Sequence, residues 1–189
     1  SNPLGLAEFT LSRKDPAYVG RAKEVQVAEK AIQNGECPAE ALPELKPVFE
    51  AVHTKYPQVD KTNVGVGSTI FAVKPGDGSA REQAASCQRV LLGGANIAKE
   101  YATKRYRSNL INWGMVPFVT VSAPDFADDD YIFVPNIREA LEGSMVNIPA
   151  YVLGETIKPL TLAIAPLTKE EKDIIRAGSL INYNRMLKK

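Results

Sequence analysis

Cysteine and histidine are scarce: the 189 residues hold two cysteines, Cys37 and Cys87, and one histidine, His53. Two thiols do not make a disulfide framework. They also fall short of the three or more thiolates that hold an iron–sulfur cluster, so any such metal would have to be held outside this chain. An excess of one charge is missing too. Lys and Arg total 23 against 22 Asp and Glu, a net charge of +1, which offers no bulk attraction to nucleic acid or another polyanion. No apolar run approaches the roughly 18 residues of a membrane span. No basic stretch followed by an apolar one opens the chain, so a secretory signal is not expected and the expected compartment is the cytoplasm. What is present, 44% hydrophobic and 24% charged residues, is the composition of a globular protein long enough to bury a core.

The chain divides by pattern into a helical lead-in over residues 1–60 and an α/β core over 64–189. In the lead-in, Val19, Ala22, Val25, Val27, Ala28 and Ile32 recur at loosely helical spacing, predicting a helix over Ala17–Asn34 that closes at Asn34-Gly35. A second helix is expected over Leu45–Lys55, its start constrained by Pro43 and Pro47. Beyond Val64 strands and helices alternate. Strands are expected near Ser68–Lys74, Ala95–Ala98, Met115–Val121 and Tyr131–Val134, then a hairpin of Met145–Leu153 and Lys158–Ala165 around Gly154-Glu155. Helices are expected over Ala80–Leu92, Glu100–Trp113, Asn136–Glu142 and Thr168–Ala177, with a last one from Ser179. Thr168 and Glu171 have capping-box spacing. This alternation implies an α/β layered fold with a partly parallel sheet flanked by helices.

The chemistry concentrates at Gly76-Asp77-Gly78-Ser79-Ala80-Arg81-Glu82, where a β-branched strand turns through two glycines into a helix. A helix N-terminus presents unpaired amides and partial positive charge. Glycine lets a backbone approach a ligand closely, and arginine can hold a carboxylate or phosphate through two hydrogen bonds. The segment therefore reads as an anion site with a hydroxyl in it. A plainer reading stands beside it: Ser79 and Glu82 are spaced as a capping box, so the serine could simply cap the helix. Arg81 could likewise be a surface residue, although positive charge in a first turn is mildly disfavoured and invites an anionic partner.

The same stretch resembles the Gly-x-Gly-Ser-Ser-Arg-Glu signature of the C-terminal swivel domain of the aconitase superfamily, with Ala80 in place of the second serine. Leu92-Gly93-Gly94-Ala95, Tyr106-Arg107-Ser108-Asn109-Leu110 with Trp113-Gly114-Met115-Val116-Pro117-Phe118, and Ile175-Arg176-Ala177-Gly178-Ser179-Leu180-Ile181-Asn182 continue the resemblance in register to the end of the chain. It implies a layered swivel-type β/β/α domain of an iron–sulfur hydratase acting on a hydroxy polycarboxylic acid. By that resemblance Ser79 is the catalytic base, and Arg81, Gly78 and position 80 meet the substrate. The 4Fe-4S cluster would belong to domains absent from this chain. Ala80 cannot supply the hydrogen bond of the usual serine, a loss worth about 1.5–3 kcal/mol to a charged group, so the acid or its orientation can differ from citrate.

Nothing before Gly76 matches the usual opening of the swivel domain, which makes the chain an N-terminally truncated fragment of a larger enzyme on this reading. The expected partners are a small polycarboxylate and the cluster-bearing domains of the same polypeptide, and the isolated chain is expected to fold without catalysing. Two alternatives stay open: a free-standing small subunit of an isopropylmalate-isomerase-like dehydratase, and a non-catalytic small-acid-binding module. Other residues read more simply. His53 is expected at the surface, Cys87 and Trp113 in the core, and Asp128-Asp129-Asp130 in a solvated turn. Lys99, Lys104, Arg105 and Arg107 form either a solvated helix face or a surface for phosphate or the partner domain.

Overall fold

The computed structural model describes residues 2–12, 15–122, 124–128 and 130–188. Asp129, in the middle of the acidic turn, lies outside the described residues. The chain opens with helices α1 (Pro3–Ser12), α2 (Pro16–Gln33), α3 (Pro38–Ala41) and α4 (Leu45–Lys55). Asp15 caps α2 by accepting from the amides of Ala17 and Tyr18, at 3.1 and 3.2 Å, and Pro16 sits at the position where a missing N–H costs nothing. α1 and α3 are absent from the sequence reading; each begins at a proline, and α3 is a single turn with no periodic pattern to reveal it.

Strands β1 (Ser68–Ala72), β2 (Gly93–Ala98), β3 (Val116–Thr120), β4 (Tyr131–Phe133), β5 (Ile148–Leu153) and β6 (Ile157–Ile164) form one sheet in the order β1-β2-β3-β6-β5-β4. β1, β2 and β3 are parallel, and β3-β6, β6-β5 and β5-β4 are antiparallel. The fold is therefore α/β with a partly parallel sheet, and the β5–β6 hairpin turns where Gly154-Glu155 places it. Helices α5 (Arg81–Val90), α6 (Lys104–Asn112), α7 (Ile137–Glu142), α8 (Lys169–Ala177) and α9 (Leu180–Leu187) complete the chain.

Side chains alternate across a strand, and β2 shows what each face meets. Asn96 turns to α6, where its amide donates to Tyr106 Oη at 3.0 Å. Ala95 and Ile97 turn the other way, toward α2 and α4. The main core joins Ile97, Phe118, Ile148, Leu160, Leu162 and Ile164 of the sheet to Ile111 of α6, Leu141 of α7 and Ile174 of α8. α2 runs past the free edge of β1 and shares a smaller core with α1 and α5 through Ala7, Val19, Ala22, Cys87 and Leu91.

α6 starts four residues later than the periodicity suggests. The amides of Glu100 and Ala102 are engaged by Val73 O and Pro75 O, at 3.1 and 2.9 Å, so residues 99–102 stay outside the helix, bent against the loop after β1. Thr103 then caps the helix, accepting from Tyr106 N at 3.2 Å. In α8 the box predicted from Thr168 and Glu171 is complete, with both reciprocal bonds formed.

Candidate functional site

The segment from Gly76 to Arg81 lies where β1 ends and α5 begins, at the carboxyl edge of the parallel strands. Open α/β sheets gather their ligands at that edge. Its shape is set by the segment between β2 and α6. Thr103 Oγ1 donates to Gly76 O at 3.1 Å, and Lys74 pairs with Glu100 at 2.8 Å. Gly76 has φ +96, and a Cβ there would meet the Tyr106 side chain at 2.5 Å. Both the left-handed backbone and the aromatic ring exclude any other residue. Gly78 differs. Its φ is ordinary, and an added Cβ would find nothing within 4 Å. The two glycines thus have separate causes: Gly76 serves the packing of the turn, while Gly78 leaves open the space beside the serine.

Ser79 does not cap the helix. α5 begins at Arg81 with Ala80 as its N-cap, and no side chain bonds the cap, so the capping-box reading of Ser79 and Glu82 is overturned. The turn is one residue too long for it: Ala80 takes the N-cap place, and its carbonyl accepts from Ala84 N at 3.0 Å. Ser79 is exposed and its hydroxyl makes no hydrogen bond among the described residues. The amides of Arg81, Glu82 and Gln83 precede the first bonded amide, that of Ala84, and form the uncapped positive end of α5. Arg81 is half-buried, and its Nε is fully enclosed without a hydrogen-bond acceptor. Leaving such a donor unmet costs about 1–3 kcal/mol. Bare amides and a free hydroxyl thus share one exposed turn, with the enclosed Arg81 Nε at its helical end.

No family model matches this chain, and neither does any curated protein. Among solved structures it is similar to a 3-isopropylmalate dehydratase (leuD) from Methanocaldococcus jannaschii, with 25% identity and a TM-score of 0.44 over 78% of this chain and 84% of that one. The roles of individual residues rest on the turn itself.

The remaining candidates are sorted by their surroundings. Arg107, grouped by sequence with Lys99, Lys104 and Arg105, is occupied: its Nη2 donates to Ala165 O at 2.7 Å and Pro166 O at 3.0 Å. It ties α6 to the entry of α8 and is withdrawn from any phosphate role, whereas Lys99, Lys104 and Arg105 are exposed. His53 is exposed at the end of α4, with its ring against Val59 O at 2.6 Å. Cys87 is buried, and Trp113 is half-buried against the cluster of Ala85, Tyr106, Leu110 and Met115. Behind the site, Tyr101 Oη donates to Phe118 O at 2.8 Å, and burial holds its hydroxyl far above the ordinary phenol range. Sequence reasoning passed over this Thr103–Tyr106–Asn96 scaffold. Only Thr103, a threonine just ahead of the periodic run, carried a readable signal.

A 4Fe-4S cluster does not fit the residues of this chain. Cys37 is exposed at the start of α3, Cys87 is buried on α5, and among the described residues no group of three His, Cys, Asp or Glu side chains could hold a metal. No described helix is long and apolar enough to cross a membrane.

Proposed function

We propose that this chain is the swivel portion of an aconitase-like hydro-lyase acting on a hydroxy polycarboxylic acid. Ser79 is its proton-abstracting base and Arg81 its carboxylate grip. The observation that supports this most is the uncapped start of α5, where Ser79 carries an unbonded hydroxyl and the first amides of the helix have no side-chain partner. Serine is a weak base because its alkoxide is high in energy. Amides and a helix dipole aimed at the oxygen lower that energy, as they do for other developing oxyanions. Arg81 presents a planar fork that suits a carboxylate through two hydrogen bonds, and Gly78 leaves room for the substrate backbone to approach. The other wall of the cleft, with the metal, comes from cluster-bearing domains of the same polypeptide or from a separate large subunit.

The intact enzyme purified from its source cells is the material for the test. Ser79→Ala should lower kcat by orders of magnitude with KM largely kept, and Arg81→Lys should chiefly raise KM. A Ser79→Ala enzyme within a few-fold of the wild-type rate would remove the serine from the base role. An unchanged KM for Arg81→Lys would remove the arginine from the carboxylate. Ala80 supports a second reading, a site that binds a small acid without turning it over, because it can supply neither a cap nor a substrate hydrogen bond. Under that reading Ser79→Ala changes neither binding nor a rate.

A further inference from the structure

Away from the candidate site, a cavity of about 310 Å³ lies between the N-terminal helices and the sheet. Its cause is legible in α4. The N-cap residue Glu44 accepts a hydrogen bond from Tyr131 Oη of β4, and the same carboxylate pairs with Arg21 of α2 at 3.5 Å. At the other end the C-cap residue Tyr56 packs edge-on against Phe133 of β4, ring centroids 5.4 Å apart, and against Tyr151 of β5 at 6.1 Å. Between these anchors Val48 and Val52 face the cavity, opposite Thr69, Gly94, Ile97 and Phe118 of the sheet. The floor lacks a side chain at one position. Gly94 is the unpaired residue of a bulge between β1 and β2, where Ser68 pairs with Gly93 and Thr69 with Ala95. A Cβ built on Gly94 meets nothing within 4 Å. Bulges are enriched beside functional sites, and here the bulge gives the cavity its depth.

Arg21, Thr69, Asp128, Asp130 and Tyr131 also line the cavity, and one polar pair in its wall is Ser68 with Tyr18. Ser68 Oγ donates its only hydrogen to Leu91 O at 3.1 Å, so the 2.8 Å contact with Tyr18 requires the tyrosine hydroxyl to donate to the serine. Tyr18 Oη keeps its lone pairs and can accept one further hydrogen bond. A mostly apolar chamber with a few placed polar atoms is the usual make-up of a small-molecule site, and its volume falls at the lower end of that range, about 300–1,000 Å³.

We propose that the cavity beneath α4 is a binding site for a small, mainly apolar molecule, of the size of a fused bicyclic ring, carrying one N–H or O–H donor for Tyr18 Oη. The site is independent of the turn at Ser79, so its test does not depend on the hydratase reading. Indole has the required ring and a single N–H, and serves as the probe. Titrated into the ¹³C-methyl-labelled 189-residue chain, it should shift the methyl signals of Val25, Val52 and Ile97 saturably, and leave those of Ile174 and Ile175 on α8 unmoved. Gly94→Val and Val52→Phe, which fill the chamber from opposite sides, should each weaken the affinity roughly tenfold or more, and naphthalene, lacking the donor, should bind more weakly than indole. Two variants guard against one failing to fold. No saturable shift at the cavity methyls in the wild-type chain, or affinity unchanged in whichever filled variant folds, overturns the proposal.

Discussion

Replacing Gly76 by alanine separates the packing of the turn from its openness to a ligand. At φ +96 an L residue is strained, at a cost of about 1–2 kcal/mol. The new Cβ would also stand 2.5 Å from the Tyr106 ring, and Tyr106 cannot withdraw freely, because its hydroxyl accepts from Asn96 and its amide is held by Thr103. Forcing an extra methyl into such a contact adds about 1–3 kcal/mol, so Gly76→Ala should cost about 2–5 kcal/mol in all. For a chain of this size each kcal/mol moves Tm by about 2–4 °C, an expected drop of roughly 4–20 °C. Gly78→Ala is the control two residues away. Its Cβ meets nothing within 4 Å, and its stability should stay within about 0.5 kcal/mol of wild type. Guanidinium unfolding followed by near-ultraviolet circular dichroism measures both, with the Tyr106 environment as an internal probe. If Gly76→Ala loses no more than Gly78→Ala, the steric account of this turn is wrong. Under the proposed function the order should reverse for substrate affinity at permissive temperature, since Gly78→Ala fills space next to Ser79 in the chain.

Tyr18, Tyr101 and Tyr106 all have hydroxyls raised above the ordinary phenol value, chiefly by burial. A raised folded-state pKa means the folded form holds the proton more tightly, so the associated stability is whole below the unfolded value of about 10 and declines as pH rises beyond it. Unfolding free energy should therefore fall above about pH 10, and Tyr101→Phe should make that fall shallower by up to about 1.4 kcal/mol per pH unit; equal slopes in urea titrations from pH 9 to 11 would exclude Tyr101 as a contributor. Arg107→Met removes two bonds to the carbonyls of Ala165 and Pro166 and should cost about 1–3 kcal/mol, against about 0.5 kcal/mol or less for the exposed Arg105→Met. Matching denaturation midpoints for the two variants would return Arg107 to the solvated face.

Much of the architecture was local enough to read along the chain. The alternation from Ser68 onward, the helix over Leu45–Lys55 and the Thr168–Glu171 box depend on residues a few positions apart, whose periodicity and side-chain-to-backbone bonds need no distant partner. The turn at Gly76–Arg81 was visible for the same reason. Tertiary structure decided the rest. The order β1-β2-β3-β6-β5-β4 depends on which faces find cover, and no single segment carries that information. Ser79 and Glu82 have the spacing of a cap, yet in the folded turn Ala80 takes the cap position and the serine hydroxyl is left free. Arg107 looks like its exposed neighbours until α8 brings two carbonyls to it. The cavity beneath α4 exists only because residues distant in sequence, Glu44 with Tyr131 and Tyr56 with Phe133, hold the helix at both ends above a bulged glycine.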